Sequence, residues 1–280
     1  MELCFPSTIF FMLFLFLQLH NSAYGNDEKY EQCKKSFQCG NVTLSYPFYD
    51  EESRPLYCGY PGFKIICRNG MPEISMSAHI YYIRRQDATS PTIFVAMQSY
   101  WQDLCPLMLS NTSINLSLYR YTAIDENITI VYNCPTVSSF AGNQIYCNKS
   151  TYYSYVGYIM TQDSDSSAKS INETCPHSNL VSVPVVHFLH GTITDAGSLL
   201  DAFHYGFELE WIAENELCDG CRRSRGVCGY DTNQTKSVCY CTDRPYDSKC
   251  SAGAHAPISF SSNKLQPHSA PAPISSAQLL

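Results

Sequence analysis

The amino-acid sequence predicts a mainly β fold, with two disulfide-rich β lobes, a short cysteine module and a disordered C-terminal tail. Three observations predict this class. The chain of 280 residues contains 15 Cys and 21 Tyr, and charged residues make up only 15% of it. Short runs of β-branched and aromatic residues alternate with Gly, Pro, Asn and Ser, which favours strands joined by turns over long helices.

The N-terminal segment 1–25 has the features of a secretory signal peptide. Its uncharged run 8–19 contains four Phe and is about 12 residues long, whereas a bilayer core requires about 20. Ala23 and Gly25 supply the small residues that a signal peptidase recognises, which places cleavage after Gly25. The alternative is a buried N-terminal helix.

Cysteine usage predicts the same compartment. Removing Cys4 with the signal peptide leaves 14 cysteines, an even number. Since free thiols at this density do not persist in an oxidising compartment, we predict that all fourteen form disulfides outside the cytosol. The predicted half-cystines are Cys33, Cys39, Cys58, Cys67, Cys105, Cys134, Cys147, Cys175, Cys218, Cys221, Cys228, Cys239, Cys241 and Cys250.

Seven Asn-x-Ser/Thr acceptor sites suggest a glycosylated surface, which fits a secreted protein. They are Asn41, Asn111, Asn115, Asn127, Asn148, Asn172 and Asn233.

The first predicted lobe, residues 26–130, consists of strands separated by turns. In the last of its strands, three large apolar residues alternate with Thr129 and Val131, the period of a half-buried strand. Asn69-Gly70 marks one of the turns. The clearest strands are Lys64–Cys67, His79–Ile83, Thr92–Met97 and Asn127–Tyr132.

The second predicted lobe, residues 131–250, contains further strands and one helix. The helix is predicted at Ala196–His204, because its large apolar residues can share one face. Beyond Cys250 the composition is dominated by Ala, Pro and Ser, so we predict a disordered tail at 251–280. The strands are Gln144–Cys147, Tyr152–Ile159, Leu180–Phe188 and Phe207–Trp211.

Charge and hydropathy exclude some classes of function. The formal net charge of −7 argues against a strongly basic nucleic-acid-binding protein. After the signal peptide there is no apolar run of 18 or more residues, so we expect no transmembrane segment in this chain. No cofactor is predicted.

The short cysteine module is residues 218–250, and its pattern, the strongest in the chain, is Cys218-x2-Cys221-x6-Cys228-x10-Cys239-x1-Cys241-x8-Cys250. Six cysteines allow 15 connectivities, and Cys-x2-Cys with Cys-x1-Cys also has the spacing of zinc ligands, although zinc thiolates are mostly intracellular. The last two intervals resemble an epidermal-growth-factor-like module. This resemblance implies the pairs Cys218–Cys228, Cys221–Cys239 and Cys241–Cys250.

Two further sets of motifs point to one family. The first set is Cys33-x5-Cys39-Gly40, Tyr46-Pro47-Phe48, Cys58-Gly59-Tyr60-Pro61-Gly62-Phe63 and Cys67. The second set is Gly206-Phe207-Glu208-Leu209-Glu210-Trp211, Cys218-x2-Cys221, Gly226-Val227-Cys228-Gly229-Tyr230 and Cys239-x1-Cys241. They resemble the galacturonan-binding domain of plant wall-associated receptor kinases and the cysteine-rich domain that follows it, in the leaf-rust-resistance-like branch.

The resemblance spans roughly residues 33–242 and has two departures. Arg225 stands where the family commonly has Gly. The family's transmembrane helix and kinase domain are also absent from this sequence, which predicts a secreted ectodomain-only relative or a truncated form. On this basis the predicted domains are a galacturonan-binding-like domain at 26–130 and a C-terminal wall-associated-kinase-type domain at 131–250.

What the resemblance implies is an extracellular module that binds pectic polysaccharide in the cell wall or at the outer face of the plasma membrane. Such a polyanion requires cationic side chains, and residues 26–130 are the less acidic part, with nine Lys plus Arg against eleven Asp plus Glu. Tyr57, Tyr81 and Tyr82 offer further faces for sugar rings, although core packing is the simpler interpretation. The ligand-binding candidates are Arg54, Lys64, Arg68, Arg84, Arg85 and Tyr60.

Two other functions stay open. The chain can act in defence signalling as an ectodomain that binds a protein partner, such as a membrane receptor kinase, without binding polysaccharide. A wall hydrolase is the third hypothesis, since Glu208 and Glu210 project from one strand face about 7 Å apart. Exposed glutamates beside a buried apolar stripe explain the same pattern more simply, and His187 and His190 lack a third metal ligand. We therefore predict no enzymatic activity.

Overall fold

A computed structural model describes residues 27–134, 144–150, 153–160, 175, 178–186, 193 and 195–251. The predicted signal peptide, His187, His190 and almost all of the predicted tail lie outside the described residues.

Strands dominate the described residues, which confirms the mainly β class. Every strand predicted from the sequence is present; two have the predicted bounds, and the bounds of the others differ by at most three residues. They are β1 (Phe37–Cys39), β2 (Val42–Leu44), β3 (Ile65–Arg68), β4 (Met71–Met76), β5 (His79–Gln86), β6 (Thr92–Met97), β7 (Tyr119–Tyr121), β8 (Asp125–Tyr132), β9 (Gln144–Ser150), β10 (Tyr153–Met160), β11 (Asn179–Val186), β12 (Phe207–Trp211), β13 (Val227–Asp231), β14 (Lys236–Tyr240) and β15 (Pro245–Tyr246).

The described residues contain three α-helices, α1 (Glu28–Lys34), α2 (Ala196–Tyr205) and α3 (Asn215–Arg223), and two short 3-10 helices at Leu56–Cys58 and Gln98–Tyr100. Helix α2 is the predicted one, and its first turn is closed by a capping box between Asp195 and Ser198. Helices α1 and α3 are short and are not predicted from the sequence. Among the described helices, none has the length and apolar content needed to span a membrane.

Two antiparallel sheets supply most of the hydrophobic core. One has six strands in the order β3-β4-β5-β6-β12-β7, and the other has four in the order β11-β8-β10-β9. Buried residues of both sheets, such as Ile83 and Ile130, belong to one cluster. Val131, predicted on the opposite face of its strand, is also buried, because it packs against Tyr158 and the Cys134–Cys175 disulfide. The C-terminal end of β8 is therefore buried on both faces.

The sheets cross the boundary expected at residue 130. Strand β8 contains this boundary, and β12 from the second predicted lobe pairs with β6 and β7. Residues of 26–130 and 131–250 therefore share one sheet, and the division into these two domains stays a prediction.

All fourteen predicted half-cystines are paired. Three of the pairs lie in the cysteine module and have the connectivity that the epidermal-growth-factor resemblance implies. Sulfurs of Cys239, Cys241 and Cys250 cluster within 4.8 Å, but each belongs to a disulfide and is not free to bind metal as a thiolate. The pairs are Cys33–Cys58, Cys39–Cys67, Cys105–Cys147, Cys134–Cys175, Cys218–Cys228, Cys221–Cys239 and Cys241–Cys250.

Two buried tyrosines of the core provide a matched test of hydrogen bonding. The hydroxyl of Tyr46 donates to the carbonyl of Ala213 at 2.8 Å, whereas the hydroxyl of Tyr119 has no partner among the described residues. An unmatched buried hydroxyl costs free energy, and a matched one contributes about 1 kcal/mol. We expect Tyr119→Phe to raise the free energy of unfolding by about 1 kcal/mol and Tyr46→Phe to lower it by about as much. Urea unfolding of the disulfide-intact protein measures both, and equal destabilisation would contradict the assignment.

Candidate functional site

The outward-facing side of the six-stranded sheet carries most of the predicted ligand-binding residues. Its other side faces the core, so the alternation of each strand divides apolar from polar side chains. The register aligns Ile66, Glu73 and Tyr82 in one row across β3, β4 and β5. The outer face is defined here by Lys64, Ile66, Arg68, Glu73, Ser75, Ile80, Tyr82, Arg84, Arg85 and Phe94.

A shallow groove of about 360 Å³ crosses β3, β4 and β5 on the outer face. Ile66 and Ile80 lie in it with 44% and 37% of their surfaces exposed. Lys64 and Arg68 also line the groove, so the structure brings two predicted ligand-binding residues together around an apolar strip. Such a strip can pack against the apolar face of a sugar ring.

Both groove cations already have carboxylate partners. Lys64 Nζ lies 2.6 Å from Glu51, and Arg68 Nε lies 3.6 Å from Glu73. The hydrogen bond to Glu51 raises the pKa of Lys64, which therefore stays charged. The Lys64–Glu51 pair is exposed and contributes little to stability, so a carboxylate of a ligand can replace Glu51 at small cost. Glu73, by contrast, is buried, with 7% of its surface exposed.

A β-bulge directs Arg84 and Arg85 to the same face. The register passes from Ile83 opposite Val95 directly to Arg85 opposite Phe94. In a regular strand two consecutive side chains point to opposite faces, whereas a bulge re-aims one of them. The result is a pair of neighbouring exposed guanidinium groups on the outer face.

Aromatic rings support both arginines. The guanidinium carbon of Arg84 lies 4.6 Å from the centre of the Trp101 ring, and that of Arg85 lies 3.9 Å from the centre of Phe94. Neither arginine forms an ion pair within the described part of the chain. Partial burial lowers the pKa of Arg84, but an arginine stays protonated at any physiological pH. Arg84 and Arg85 therefore present two neighbouring positive charges that no carboxylate of the described residues pairs with.

Trp101 and Tyr82 form an aromatic corner next to this pair. Their ring centres are 5.2 Å apart in an edge-to-face arrangement. Both rings line a second cavity of about 390 Å³, to which Gln98 and Gln102 contribute amide groups. Aromatic faces beside amide groups suit a carbohydrate, which presents apolar C–H faces and hydroxyl groups. Trp101 is not among the residues predicted from the sequence. Its one distinguishing signal there is that it is one of only two Trp in the chain.

Arg54 does not belong to the outer face. Only 2% of its surface is exposed. Its guanidinium donates to the carbonyls of Phe48, Cys33 and Cys58 at 2.7–3.2 Å and to that of Lys35 at 2.5 Å. Arg54 therefore ties α1 to the segment 48–58, and it also lines a separate cavity of about 430 Å³.

The predicted tyrosines have mixed roles. Tyr60 is half-buried and packs edge-on against Phe63 and Tyr230, away from the arginine pair. Tyr81 is fully buried, so it is a core residue, and Tyr57 donates its hydroxyl to Gln32. Of the four tyrosines considered, only Tyr82 lies on the outer face.

Glu208 and Glu210 alternate with buried residues on β12, as the sequence predicts. Near them, the carboxyl of Asp125 accepts hydrogen bonds from the backbone N–H groups of Glu208 at 2.9 Å and Thr122 at 3.2 Å. Burial is the main cause that raises the pKa of Asp125 to about 6. The bond from Glu208 connects β8 to β12, and the bond from Thr122 closes the turn before β8, so Asp125 has a structural role at this junction.

The predicted glycosylation sites are accessible wherever the structure describes their side chains. Two others, Asn148 and Asn172, have side chains outside the described part of the chain. The exposed acceptors are Asn41, Asn111, Asn115, Asn127 and Asn233.

The fold is that of a disulfide-rich β protein whose six-stranded sheet carries cationic and aromatic side chains on its outer face. Two family models match the chain. "Wall-associated receptor kinase galacturonan-binding" covers residues 33–97, and "Wall-associated receptor kinase C-terminal" covers residues 134–244. The chain belongs to the wall-associated receptor kinase family and corresponds to its ectodomain.

Curated relatives agree with this family. The leaf rust 10 disease-resistance locus receptor-like protein kinase-like 2.1 of Arabidopsis thaliana is 28% identical over 256 residues, which cover 87% of this chain and 38% of the relative. The protein of the same series numbered 1.4, also from Arabidopsis thaliana, is 26% identical over 259 residues, 91% of this chain and 36% of the relative. The chain thus spans little more than a third of the length of these relatives. No solved structure matches it.

Proposed function

We propose that this ectodomain binds the galacturonan of cell-wall pectin through the outer face of the six-stranded sheet. The observation that carries the proposal is the bulged pair Arg84 and Arg85, whose charges have no carboxylate partner among the described residues. A galacturonan chain carries one carboxylate per sugar unit, so it offers a regular row of acceptors for guanidinium groups.

The rest of the outer face suits the same ligand. Trp101 and Tyr82 provide aromatic surfaces for sugar rings, and the groove adds an apolar strip between Lys64 and Arg68. The family model of galacturonan binding covers residues 33–97, which include β3, β4, β5 and β6. Binding to the wall polymer would place the protein in the cell wall or at the outer face of the plasma membrane.

The test compares two double variants with equal changes of charge. We expect Arg84→Ala/Arg85→Ala to weaken retention on immobilised polygalacturonate by at least about tenfold at low salt, a loss of about 1.4 kcal/mol. The control is Lys236→Ala/Lys249→Ala, which removes two exposed cations of the cysteine module and leaves the outer face intact. Because salt screens exposed charges, added salt should also release the wild-type protein.

Two outcomes would contradict the proposal: a wild-type protein that polygalacturonate does not retain at low salt, or equal retention of both double variants.

One feature favours the alternative function of binding a protein partner. Leu107 and Met108 are 91% and 81% exposed beside the Cys105–Cys147 disulfide, and exposed apolar residues of this kind suit a protein interface. Co-purification of a protein partner with no affinity for polygalacturonate would select that alternative.

A further inference from the structure

A cavity of about 430 Å³ lies where the galacturonan-binding segment meets the cysteine module. Its wall combines the end of α1, the segment 86–91 that begins with the last residue of β5, helix α3 and the beginning of β13. Neither family model spans this junction, because the first ends at residue 97 and the second begins at 134. The cavity is separate from the outer face and shares none of the residues that define that face.

Three cationic residues line the cavity: Arg54, Lys34 and Arg222. Arg54 is buried and forms no ion pair with any described residue. Four of its five N–H groups donate to backbone carbonyls, and the fifth has no acceptor in the described part of the chain. Proteins rarely bury a cation without a carboxylate partner, so an anion bound in the cavity would supply the missing negative charge.

Arg222 adds a second charge to the same space. It is exposed in the last turn of α3. Burial is the main cause that lowers the pKa of Arg54 to about 10, and the positive charge of Arg222 is the next cause. The like charges of Arg54 and Arg222, which both line the cavity, repel each other, and the charge of Asp50 offsets part of this repulsion. An anion between them would relieve this repulsion.

The two acidic residues of the lining, Asp87 and Asp219, do not pair with these arginines. Asp87 accepts hydrogen bonds from the backbone N–H groups of Thr89 and Ser90 at 2.7 Å and 2.8 Å. These bonds lower the pKa of Asp87 well below its usual range. Its carboxylate is therefore occupied by hydrogen bonds within the turn 87–90. Asp219 lies exposed on α3, and no ion pair joins either carboxylate to Arg54 or Arg222 within the described residues.

The size and walls of the cavity limit the ligand. A volume of about 430 Å³ lies at the small end of the range for ligand pockets, about 300–1,000 Å³. One or two sugar rings fit such a space, whereas a long polymer does not. Trp211 and Pro91 supply apolar wall, and Asn215 and Gln86 supply amide groups.

We propose that this cavity is a second site, which binds the carboxylate of a single uronate unit between Arg54 and Arg222. Lys34 and the amide groups of the lining then contact the carboxylate and the hydroxyl groups of the sugar. The inference rests on the proposed function for the identity of the sugar, and it adds recognition of a free uronate or a chain end to binding along the outer face.

The test uses galacturonate as the monosaccharide and galactose as its neutral counterpart. Isothermal titration of the disulfide-intact ectodomain at low salt should show galacturonate binding that Arg222→Ala weakens by about tenfold or more, with no binding of galactose. Arg54 is left unchanged, because its loss affects folding. Arg223→Ala removes an exposed neighbouring charge outside the lining and should bind galacturonate like wild type.

The two sites are separated by crossing ligands and variants. Arg84→Ala/Arg85→Ala should lose the polymer and keep the monosaccharide, whereas Arg222→Ala should lose the monosaccharide and keep most of the polymer binding. Equal galacturonate affinity of Arg222→Ala and wild type would overturn the second site, and so would galactose binding of equal strength. Failure of the wild type to bind polygalacturonate would instead overturn the proposed function. The comparison of galacturonate binding between Arg222→Ala and wild type would still test the cavity.

Discussion

Replacing Arg54 by Met is expected to lower the free energy of unfolding by about 3–5 kcal/mol, the cost of breaking a buried charged network. The guanidinium binds four backbone carbonyls that belong to α1 and to the segment 48–58. Methionine fills part of the volume but donates no hydrogen bond, so the carbonyls stay buried without this partner. Since domains are stable by about 5–15 kcal/mol in total, we expect a sharp fall in the secreted yield.

Two further variants test the cause of that loss. Arg223→Met makes the same substitution at an exposed position of α3 and should change the free energy of unfolding by less than about 0.5 kcal/mol. Arg54→Lys keeps the charge but lacks the planar fork that reaches several carbonyls at once. It should therefore lose most of the stability that Arg54→Met loses. A urea midpoint of Arg54→Met equal to that of Arg223→Met would refute the role of Arg54.

The sequence could predict those features that local patterns determine. Alternation in Phe207–Trp211 and in Asn127–Tyr132 predicted strands, since the side-chain period of a strand is two. The even number of cysteines predicted complete pairing, which the seven disulfides confirm. Helix α3 escaped prediction, because Cys218 and Cys221 were interpreted as parts of a cysteine framework, although both are buried on one side of this helix.

The site depends on contacts that no local pattern encodes. Arg54 follows the polar run 50–53, which is typical of an exposed turn. Its side chain is nevertheless buried, where it donates hydrogen bonds to the carbonyls of Cys33 and Lys35. The adjacent arginines on β5 share a face only because of a bulge, and the bulge is visible only in the pairing with β6. Arg222 lies far from Arg54 in sequence, so their shared cavity required the fold. The six candidate ligand-binding residues themselves stay predictions.

Gly226 carries the other large expected effect, because it lies against three sulfur atoms of the cysteine module. A Cβ added at this position would lie 2.3 Å from the sulfur of Cys239, 2.7 Å from that of Cys221 and 2.8 Å from that of Cys250. Real Cβ atoms do not approach so closely, and these sulfurs belong to the disulfides 221–239 and 241–250. We expect Gly226→Ala to lower the free energy of unfolding by about 3 kcal/mol.

Gly220 provides the matched control within the same module. It lies in α3, where an added Cβ would meet only the carbonyl oxygen of Ser248 at 3.7 Å, an ordinary contact. Because Ala is favoured over Gly in a helix by about 0.5–1 kcal/mol, Gly220→Ala should raise the free energy of unfolding by that amount. The same substitution thus has opposite signs six residues apart. Peptide mapping should also show mispaired cysteines in secreted Gly226→Ala only, and native pairing with unchanged stability in this variant would refute the close packing of the three sulfurs.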